Sequence, residues 1–413
     1  MFYKSLRALS LVLSLCFFIV GISTVQANEL FTVKNVRVDA TAENAITARN
    51  KAFEDAQLKA FDMLAKRMLE EGGSQNYNKP DADTISTLIK DYEVTKEKLS
   101  AVRYIGTYTF TFNENGVRRI FQDSGQAYTT VQSKPLLVLP YYKRGNTTKI
   151  WSENNVWMQA WARSKGRSTL LPLVVPLGDV YDIGDLAANE SLSYNPDNMR
   201  RMLARYEATD AVMIRAAADQ HLSLVDVPNQ PATGTLTIEI FQTDQGHAIF
   251  MDNIVFTAKP DQTLSQMMDE AVKKTKSLLQ SNWKKKTQTR ASQKSSLQAN
   301  VPIAGLADWS DMQSRLASSG LIQNIILKSL SSREAQIQID YQGTLETLSL
   351  ALDQQSLSLS PVSEQQNDSI LYLLEKKRRA AYDNTQRSPR QGVRDIYGRP
   401  DIVPADPNYS RTF

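Results

Sequence analysis

Cysteine is almost absent from this chain of 413 residues. The single one, Cys16, lies inside an amino-terminal apolar stretch that we expect to be removed. The mature protein would then have no disulfide, no thiolate metal site and no cysteine nucleophile. An oxidising compartment permits disulfides without requiring them, and domains of ordinary size are stable without them.

Histidine is nearly as scarce. The two histidines, His221 and His247, lie in separate segments, and no spacing typical of a zinc site surrounds either one. The sequence also lacks a G-x-S-x-G elbow, a P-loop and a G-x-G-x-x-G fingerprint. We interpret both histidines as ordinary surface or strand residues, and we predict no catalytic residue, cofactor or metal site from recognised motifs.

One apolar run is long, and it stands at the amino terminus. Lys4 and Arg7 precede the apolar stretch Ala8–Ile22, and Val25-Gln26-Ala27 follows with small or compact residues at positions −3 and −1. An uncleaved anchor is the rival interpretation, but fifteen residues fall short of the about 20 that span a bilayer. We therefore predict a cleaved signal peptide and a location in the periplasm of a Gram-negative bacterium.

Basic residues are concentrated in three segments, although the formal net charge is only +4. The signal carries +2, Lys284–Gln298 carries +5 and Glu375–Phe413 carries +4, which leaves about −7 for the remainder. We expect this positive charge in a linker and a tail, not on a folded face. Neither segment interleaves aromatic residues as nucleic-acid stacking platforms do. Anionic lipid head groups, cell-wall polymers or an acidic partner suit them better.

Composition divides the chain into several blocks, as its length predicts. The predicted blocks are a signal peptide (1–27), an α+β domain (28–124), an α/β domain (135–283), a basic linker (284–301), a small α+β domain (302–374) and a disordered basic tail (375–413).

The first block is dominated by a row of alanines. In "TARNKAFEDAQLKAFDMLAKRM" (Thr47–Met68), alanine recurs every four residues at 48, 52, 56 and 60, which makes a ridge along a helix. We expect this ridge to pack on a sheet that contains "RYIGTYTFTFN", whose aromatic residues alternate with threonines. Thr41 is expected to cap the helix, and a second helix is expected over Thr84–Tyr92. A dimer seam along the ridge is the functional alternative.

These residues resemble a known family. "FTVKNVRVDATAENAITARNKAFEDAQLKAFDMLAKRM" followed by "YEVTKEKLSAVRYIGTYTFTFN" is similar to the domain of unknown function 2066 family of Gram-negative envelope proteins. The resemblance implies a periplasmic location and no established activity. More loosely, the alanine-rich helix is similar to amino-terminal domains of some flagellar-ring and outer-membrane lipoproteins.

The second block alternates strands and helices, which predicts an α/β core with parallel strands. Ser152 and Asn195 are expected to begin helices, and a hairpin that turns at Gln245-Gly246 is expected to join the sheet. The block closes with a helix over Leu264–Trp283. Its element order and "LLVLP…PLGDVYDIGDL…RYEATDAVMI" resemble the amino-terminal α/β domain of the Tol-system propeller protein and curli-secretion lipoproteins. The resemblance implies assembly or translocation, not catalysis.

The third block reads as an αββα pattern with a last strand pair, which favours a small α+β domain of ferredoxin-like type. Beyond Glu375 the chain is rich in arginine and proline and shows almost no aliphatic periodicity, so we predict disorder. A tail segment such as "VRDIYGRPDIV" could instead fold on binding a partner.

An acidic motif, "GDVYDIGD", places Asp179, Asp182 and Asp185 three residues apart. This spacing differs from a calcium loop, whose oxygen ligands alternate. We expect Asp182 or Asp185 to cap a short helix that begins near Ile183. A cation site or a catalytic role for the three carboxylates is the alternative.

An aromatic cluster is the candidate binding surface. Trp157 and Trp161 share a helix face, and Tyr141, Tyr142, Lys143 and Arg144 lie upstream. Aromatic rings beside basic groups could hold a sugar or a peptide. The alternative is that the tryptophans cover the α/β sheet as part of the core.

Together these features predict an exported, non-enzymatic periplasmic scaffold or adaptor that binds envelope proteins, cell-wall material or anionic lipids. The second block is its expected binding surface, and peripheral association with a membrane is compatible with the basic segments. The alternative is a cell-wall hydrolase that uses the carboxylates around Asp179–Asp185. Such an enzyme needs two carboxyl groups about 5–9.5 Å apart across the scissile bond.

Overall fold

A computed structural model describes residues 29–70, 73, 77–152, 155–164, 170–187, 192–225, 227–290, 292–362 and 370–377. The predicted signal peptide and the predicted tail beyond residue 377 lie outside these ranges. Within them the chain is a mixed α and β protein with three sheets, as predicted. No helix in the described ranges has both the length and the apolarity to cross a membrane.

The chain divides into two compact units. The first comprises the chain up to Ala65 together with Asn78–Ile120, and the second comprises Lys66–Tyr77 and the chain from Phe121 onward. The division falls within two helices, α1 (Ala45–Met68) and α3 (Glu114–Asp123).

The first unit is a helix packed on a three-stranded antiparallel sheet in the order β1-β3-β2. Its strands are β1 (Thr32–Thr41), β2 (Ile89–Leu99) and β3 (Arg103–Phe112), and the short helix α2 is Ala82–Leu88. All four alanines of the ridge on α1 are completely buried. The ridge therefore belongs to the core.

Aromatic side chains of β3 fill the space beside the ridge. The ring of Phe53 on α1 lies 5.8 Å from that of Tyr108, and Phe61 makes an edge contact with Phe112 at 5.8 Å. Gly106 leaves room for two of these rings, because a Cβ atom there would lie 2.7 Å from the ring of Tyr104 and 2.6 Å from that of Tyr108.

Two local expectations for this unit were wrong. The α1 helix is capped by Asn44, whose Oδ1 accepts from the amide of Thr47 at 2.9 Å, and Thr41 ends β1 instead. The second helix ends at Leu88, and the chain from Ile89 is the long strand β2, which was not predicted. Its residues are almost all exposed, so β2 has no apolar alternation from which to recognise it.

The second unit contains a six-stranded sheet with the path β5-β4-β7-β8-β9 and a short β6 paired to β4. Strands β4 and β7 run parallel, and β8 and β9 form the predicted antiparallel hairpin beside them. Its strands are β4 (Leu136–Arg144), β5 (Thr147–Lys149), β6 (Leu173–Val174), β7 (Asp210–Ala218), β8 (Thr235–Asp244) and β9 (His247–Thr257).

Helices cover both faces of this sheet. They are α4 (Val156–Arg163), α5 (Val180–Asp185), α6 (Pro196–Arg205) and α7 (Leu264–Thr287). The cap of α4 is Asn155, not Ser152, and Asn195 caps α6 as predicted. The 24-residue α7 begins with a complete capping box between Thr263 and Gln266, and its apolar stripe joins the core on one face of the sheet.

The carboxyl-terminal part forms a five-stranded sheet in the order β11-β12-β10-β14-β13. Its elements are β10 (Lys294–Pro302), α8 (Leu306–Ala317), β11 (Ile322–Leu330), β12 (Glu334–Gln342), α9 (Leu345–Gln354), β13 (Leu357–Pro361) and β14 (Leu371–Lys376). Strand β14 pairs parallel with β10 and separates it from β13. This inserted fifth strand distinguishes the domain from the ferredoxin-like arrangement that we expected.

The predicted flexible linker is largely regular structure. Residues 284–287 form the last turn of α7, and strand β10 begins at Lys294. The ammonium group of Lys284 donates to the carbonyl oxygens of Lys66 and Leu69, which holds this turn in place. In β10 the buried residues Leu297, Ala299 and Val301 alternate with exposed or half-buried ones. Part of the positive charge therefore lies on helix α7 and strand β10. The expectation that this charge lies in a linker and not on a folded face was wrong for these residues.

Enlarging the ridge should destabilise the first unit. We expect Ala56→Leu to lower the free energy of unfolding by about 1–3 kcal/mol, because the added side chain would overpack a fully buried contact. Urea unfolding monitored by circular dichroism measures this change. The matched control is Glu54→Leu at an exposed position of the same helix; equal stability of the two variants would contradict the packing role.

Candidate functional site

The acidic motif is a network of internal contacts. Asp179 caps α5, and its Oδ1 accepts from the amides of Tyr181 and Asp182, both at 2.9 Å. Asp182 is completely buried and pairs with the guanidinium of Arg205 at 2.7 Å. The expectation that Asp182 or Asp185 caps the helix was therefore wrong.

Arg205 joins the remaining two carboxylates. Its Nη2 contacts Asp182 and its Nη1 contacts Asp185 at 3.1 Å, while Arg201 also pairs with Asp185 at 2.8 Å. The hydroxyl of Tyr206 donates to Asp182 at 2.7 Å; burial and this hydrogen bond raise the pKa of Tyr206 to about 12. Because arginines and a tyrosine engage both carboxylates, the motif holds α5 against α6.

The carboxylates of this motif do not face each other across a substrate-sized gap, since Arg205 stands between Asp182 and Asp185. A glycosidase instead needs both groups directed at the scissile bond. Among the described residues, no cluster of three or more His, Cys, Asp or Glu side chains is placed to hold a metal ion. The geometry thus gives the hydrolase alternative no support.

The predicted aromatic surface is buried. Trp157 is completely inaccessible, donates its indole N–H to the carbonyl oxygen of Ile214 at 3.2 Å and makes an edge contact with Trp161. Tyr142 belongs to the same core cluster, whereas Tyr141 is buried in the cluster on the other face of the sheet. The two tryptophans of α4 and the two tyrosines of β4 therefore belong to the core on the two faces of the sheet, and the binding surface expected from them is wrong.

The neighbouring polar residues are also dispersed. Lys143 and Arg144 are half-buried at the end of β4, and the guanidinium of Arg144 donates to the carbonyl oxygen of Ser223. His221 precedes a short 3₁₀ turn and His247 begins β9, and both are exposed. The six residues of the predicted binding surface therefore do not form one exposed patch. They are Trp157, Trp161, Tyr141, Tyr142, Lys143 and Arg144.

A different exposed feature stands out at the edge of the six-stranded sheet. Strand β9 leaves four large apolar side chains accessible: Ile249, Phe250, Met251 and Val255, which are 42–59% exposed. Phe250 packs against Phe241 of β8 with ring centroids 5.8 Å apart. Because Ile254 and Phe256 turn toward the core below the sheet, Val255 between them faces the opposite side.

Edge strands are normally protected from pairing with other chains by lysine and other charged residues, by proline, by bulges or by shortness. Among the edge strands in the described ranges, β1, β2, β5 and β11 contain lysine, β13 is five residues long and contains Pro361, and β6 has only two residues. Strand β9 has eleven residues without lysine, arginine or proline. Its only irregularity in pairing is a bulge near Met251.

A cleft of about 320 Å³ opens beside β9. Its apolar wall includes Leu136, Leu171, Leu279 and Trp283, and Met251 of β9 also lines it. Leu350 and Asp353 of α9 contribute from the carboxyl-terminal domain. The strand and the cleft therefore form one continuous surface, which we call the β9 site.

The predicted hairpin contained the signal for this site. In "HAIFMDNIVFT" apolar residues occupy both alternation phases, which indicates that some of them face solvent if one face covers a core. The cleft could not be found from sequence, since its lining residues come from segments more than 200 residues apart.

Replacing Asp182 tests the structural interpretation of the acidic motif. We expect Asp182→Asn to lower the free energy of unfolding by about 1–3 kcal/mol, because Arg205 loses a buried charged partner. Asp179→Asn is the control, since asparagine also caps helices well. Urea unfolding with and without calcium measures both; a calcium-dependent stabilisation that either substitution removes would restore the cation site.

Comparisons with known protein families, with characterised proteins and with solved structures gave no match. The resemblances to the domain of unknown function 2066 family and to the Tol and curli proteins therefore stay predictions from sequence. What this chain binds has to be inferred from its own surfaces, and the β9 site combines four accessible apolar side chains on one strand with an adjoining cleft.

Proposed function

We propose that this protein is an exported, non-enzymatic scaffold or adaptor of the cell envelope. It binds another envelope protein through its α/β domain, where the partner adds an extended strand to β9. The observation that carries this proposal is the long edge strand β9, which contains no lysine, arginine or proline and exposes four large apolar side chains.

Strand addition suits this edge for two physical reasons. The outer side of an edge strand presents backbone N–H and C=O groups that a second strand can pair with, and these hydrogen bonds supply affinity whatever the sequence. Contiguous exposed apolar side chains then add burial and specificity, as at other protein interfaces. Phe250 and Val255 would contact alternate side chains of the incoming strand on the open face.

The edge also carries features that restrict its partners. The bulge near Met251 interrupts regular pairing, and Asp252 places a carboxylate in the strand, where its Oδ1 accepts from the amide of Asn253 at 2.8 Å. Bulges and charges on an edge disfavour indiscriminate association. A partner must therefore match both, which suits a specific adaptor.

Export places this surface among envelope proteins. The amino-terminal sequence predicts a signal peptide, and the family resemblance implies the periplasm. We expect the mature chain to begin at Asn28, and mass spectrometry of the protein from a periplasmic fraction measures its amino terminus. An intact chain that begins at Met1 in the cytoplasm would contradict the proposed location.

The interface is tested with a photoreactive residue in place of Asn253, which is exposed on β9. We expect crosslinking in intact cells to join this position to one extended segment of an envelope protein, identified by mass spectrometry of the crosslinked peptides. A photoreactive residue at Ser329, on the edge strand β11, is the control and should not capture that segment.

The captured segment, made as a peptide, then tests strand addition directly. We expect it to slow hydrogen exchange of β9 amides and to bind at least about tenfold more weakly to Phe250→Lys. Leu327→Lys, which replaces an apolar residue of β11 that is 44% exposed, should leave the affinity unchanged. Binding without protection of β9 amides, or equal loss in both variants, would contradict the proposal.

A further inference from the structure

The cleft beside β9 is partly apolar and electrically balanced. Its charged lining residues are two lysines and two aspartates, Lys134, Lys286, Asp210 and Asp353. Asp353 is paired with Lys377, and the ammonium group of Lys134 donates to the hydroxyl of Ser356 at 2.7 Å. The four lining charges cancel, and Asp353 is further neutralised by Lys377, so the apolar wall and not a net charge is the main feature that an occupant would meet.

Asp210 supports the same conclusion. This residue is accessible from the cleft, yet the protein atoms around its carboxyl displace water; this desolvation raises its pKa, against the opposing hydrogen bonds from Ala211 and Thr243 and the charge of Lys286. The same desolvation would disfavour an anionic ligand group placed beside Asp210.

The apolar wall is built to receive a ring or a branched side chain. Trp283 is fixed by its indole N–H, which donates to the carbonyl oxygen of Val131 at 2.9 Å, and Leu279 is buried on the same helix. A rigid apolar wall of this kind suits an anchor residue, which contributes much of the affinity at protein interfaces.

The cleft is continuous with the strand edge, because Met251 belongs to both. We propose that the strand which adds to β9 inserts one large uncharged apolar side chain, aromatic or aliphatic, into this cleft. This inference rests on the proposed function and names its specificity-determining contact. Leu350, on the opposite side of the cleft, would contact the same anchor.

The first experiment measures the preference of the cleft in the full chain, with indole as the probe. Trp283 supplies the reporter, because its indole N–H resonance can be assigned with Trp283→Phe. We expect indole to shift this resonance saturably, whereas benzoate and benzylamine bind at least about tenfold more weakly. Tighter binding of either charged probe would overturn the inference.

Blocking the cleft supplies a matched pair of variants. Leu350→Trp should fill the opening and weaken indole binding at least about tenfold, while Glu346→Trp, exposed on the same helix, should change it by less than about twofold. Equal affinities for the two variants would place the probe elsewhere and overturn the assignment of the cleft.

The second experiment identifies the source of the anchor with a photoreactive residue at Leu350. Capture of the same partner segment as from Asn253, joined at an apolar residue, is the expected result. If Asn253 captures the segment and Leu350 does not, strand addition stands and the anchor inference fails. Capture of only a small molecule at Leu350 would also overturn it, whereas failure at Asn253 would contradict the proposed function itself.

Discussion

The packing of Trp283, in the last turns of helix α7, is the interaction on which the arrangement of the second unit depends. Its indole N–H bonds to the carbonyl oxygen of Val131, and its ring packs against the small buried cluster of Val131, Leu321 and Ala351. The same helix covers the six-stranded sheet along most of its length. Helix α7 therefore packs in the α/β core near its beginning and against the carboxyl-terminal domain near its end. For this reason the cleft between them has a fixed wall.

The parts of the fold that followed from sequence were those with a strong local period. The alanine row and the alternation in β3 predicted a helix on an aromatic sheet, and the Gln245-Gly246 turn predicted the hairpin, since both signals depend only on neighbouring residues. The linker prediction failed because amino-acid composition does not reveal tertiary contacts. Residues 284–287 are polar, yet Lys284 and Thr287 are held by distant partners, Leu69 and Thr129.

The candidate sites show the same division. The tryptophans lie on a helix and the carboxylates at a short helix, as predicted. Burial and ion pairing decide whether such groups bind a ligand or stabilise the core, and both depend on tertiary contacts. Arg205 lies 20 residues after Asp185, the last residue of the acidic motif, and no spacing rule links them. Strand β9 was predicted as a hairpin strand, but its position at an edge required the strand order.

A long edge strand without lysine or proline is costly to keep, because it can pair with other exposed strands, although the bulge near Met251 and the carboxylate of Asp252 on β9 oppose such pairing. In the described part of the chain, the other long edge strands, β1, β2 and β11, all contain lysine. On β9, lysine at Phe250 or Val255 would be tolerated by the core, since both side chains are more than half exposed. Stability of the fold therefore does not require apolar residues at these two positions. The proposed strand addition would account for them, and the proposed anchor in the adjoining cleft, whose wall is fixed by Trp283, would extend this account to a side chain of the partner.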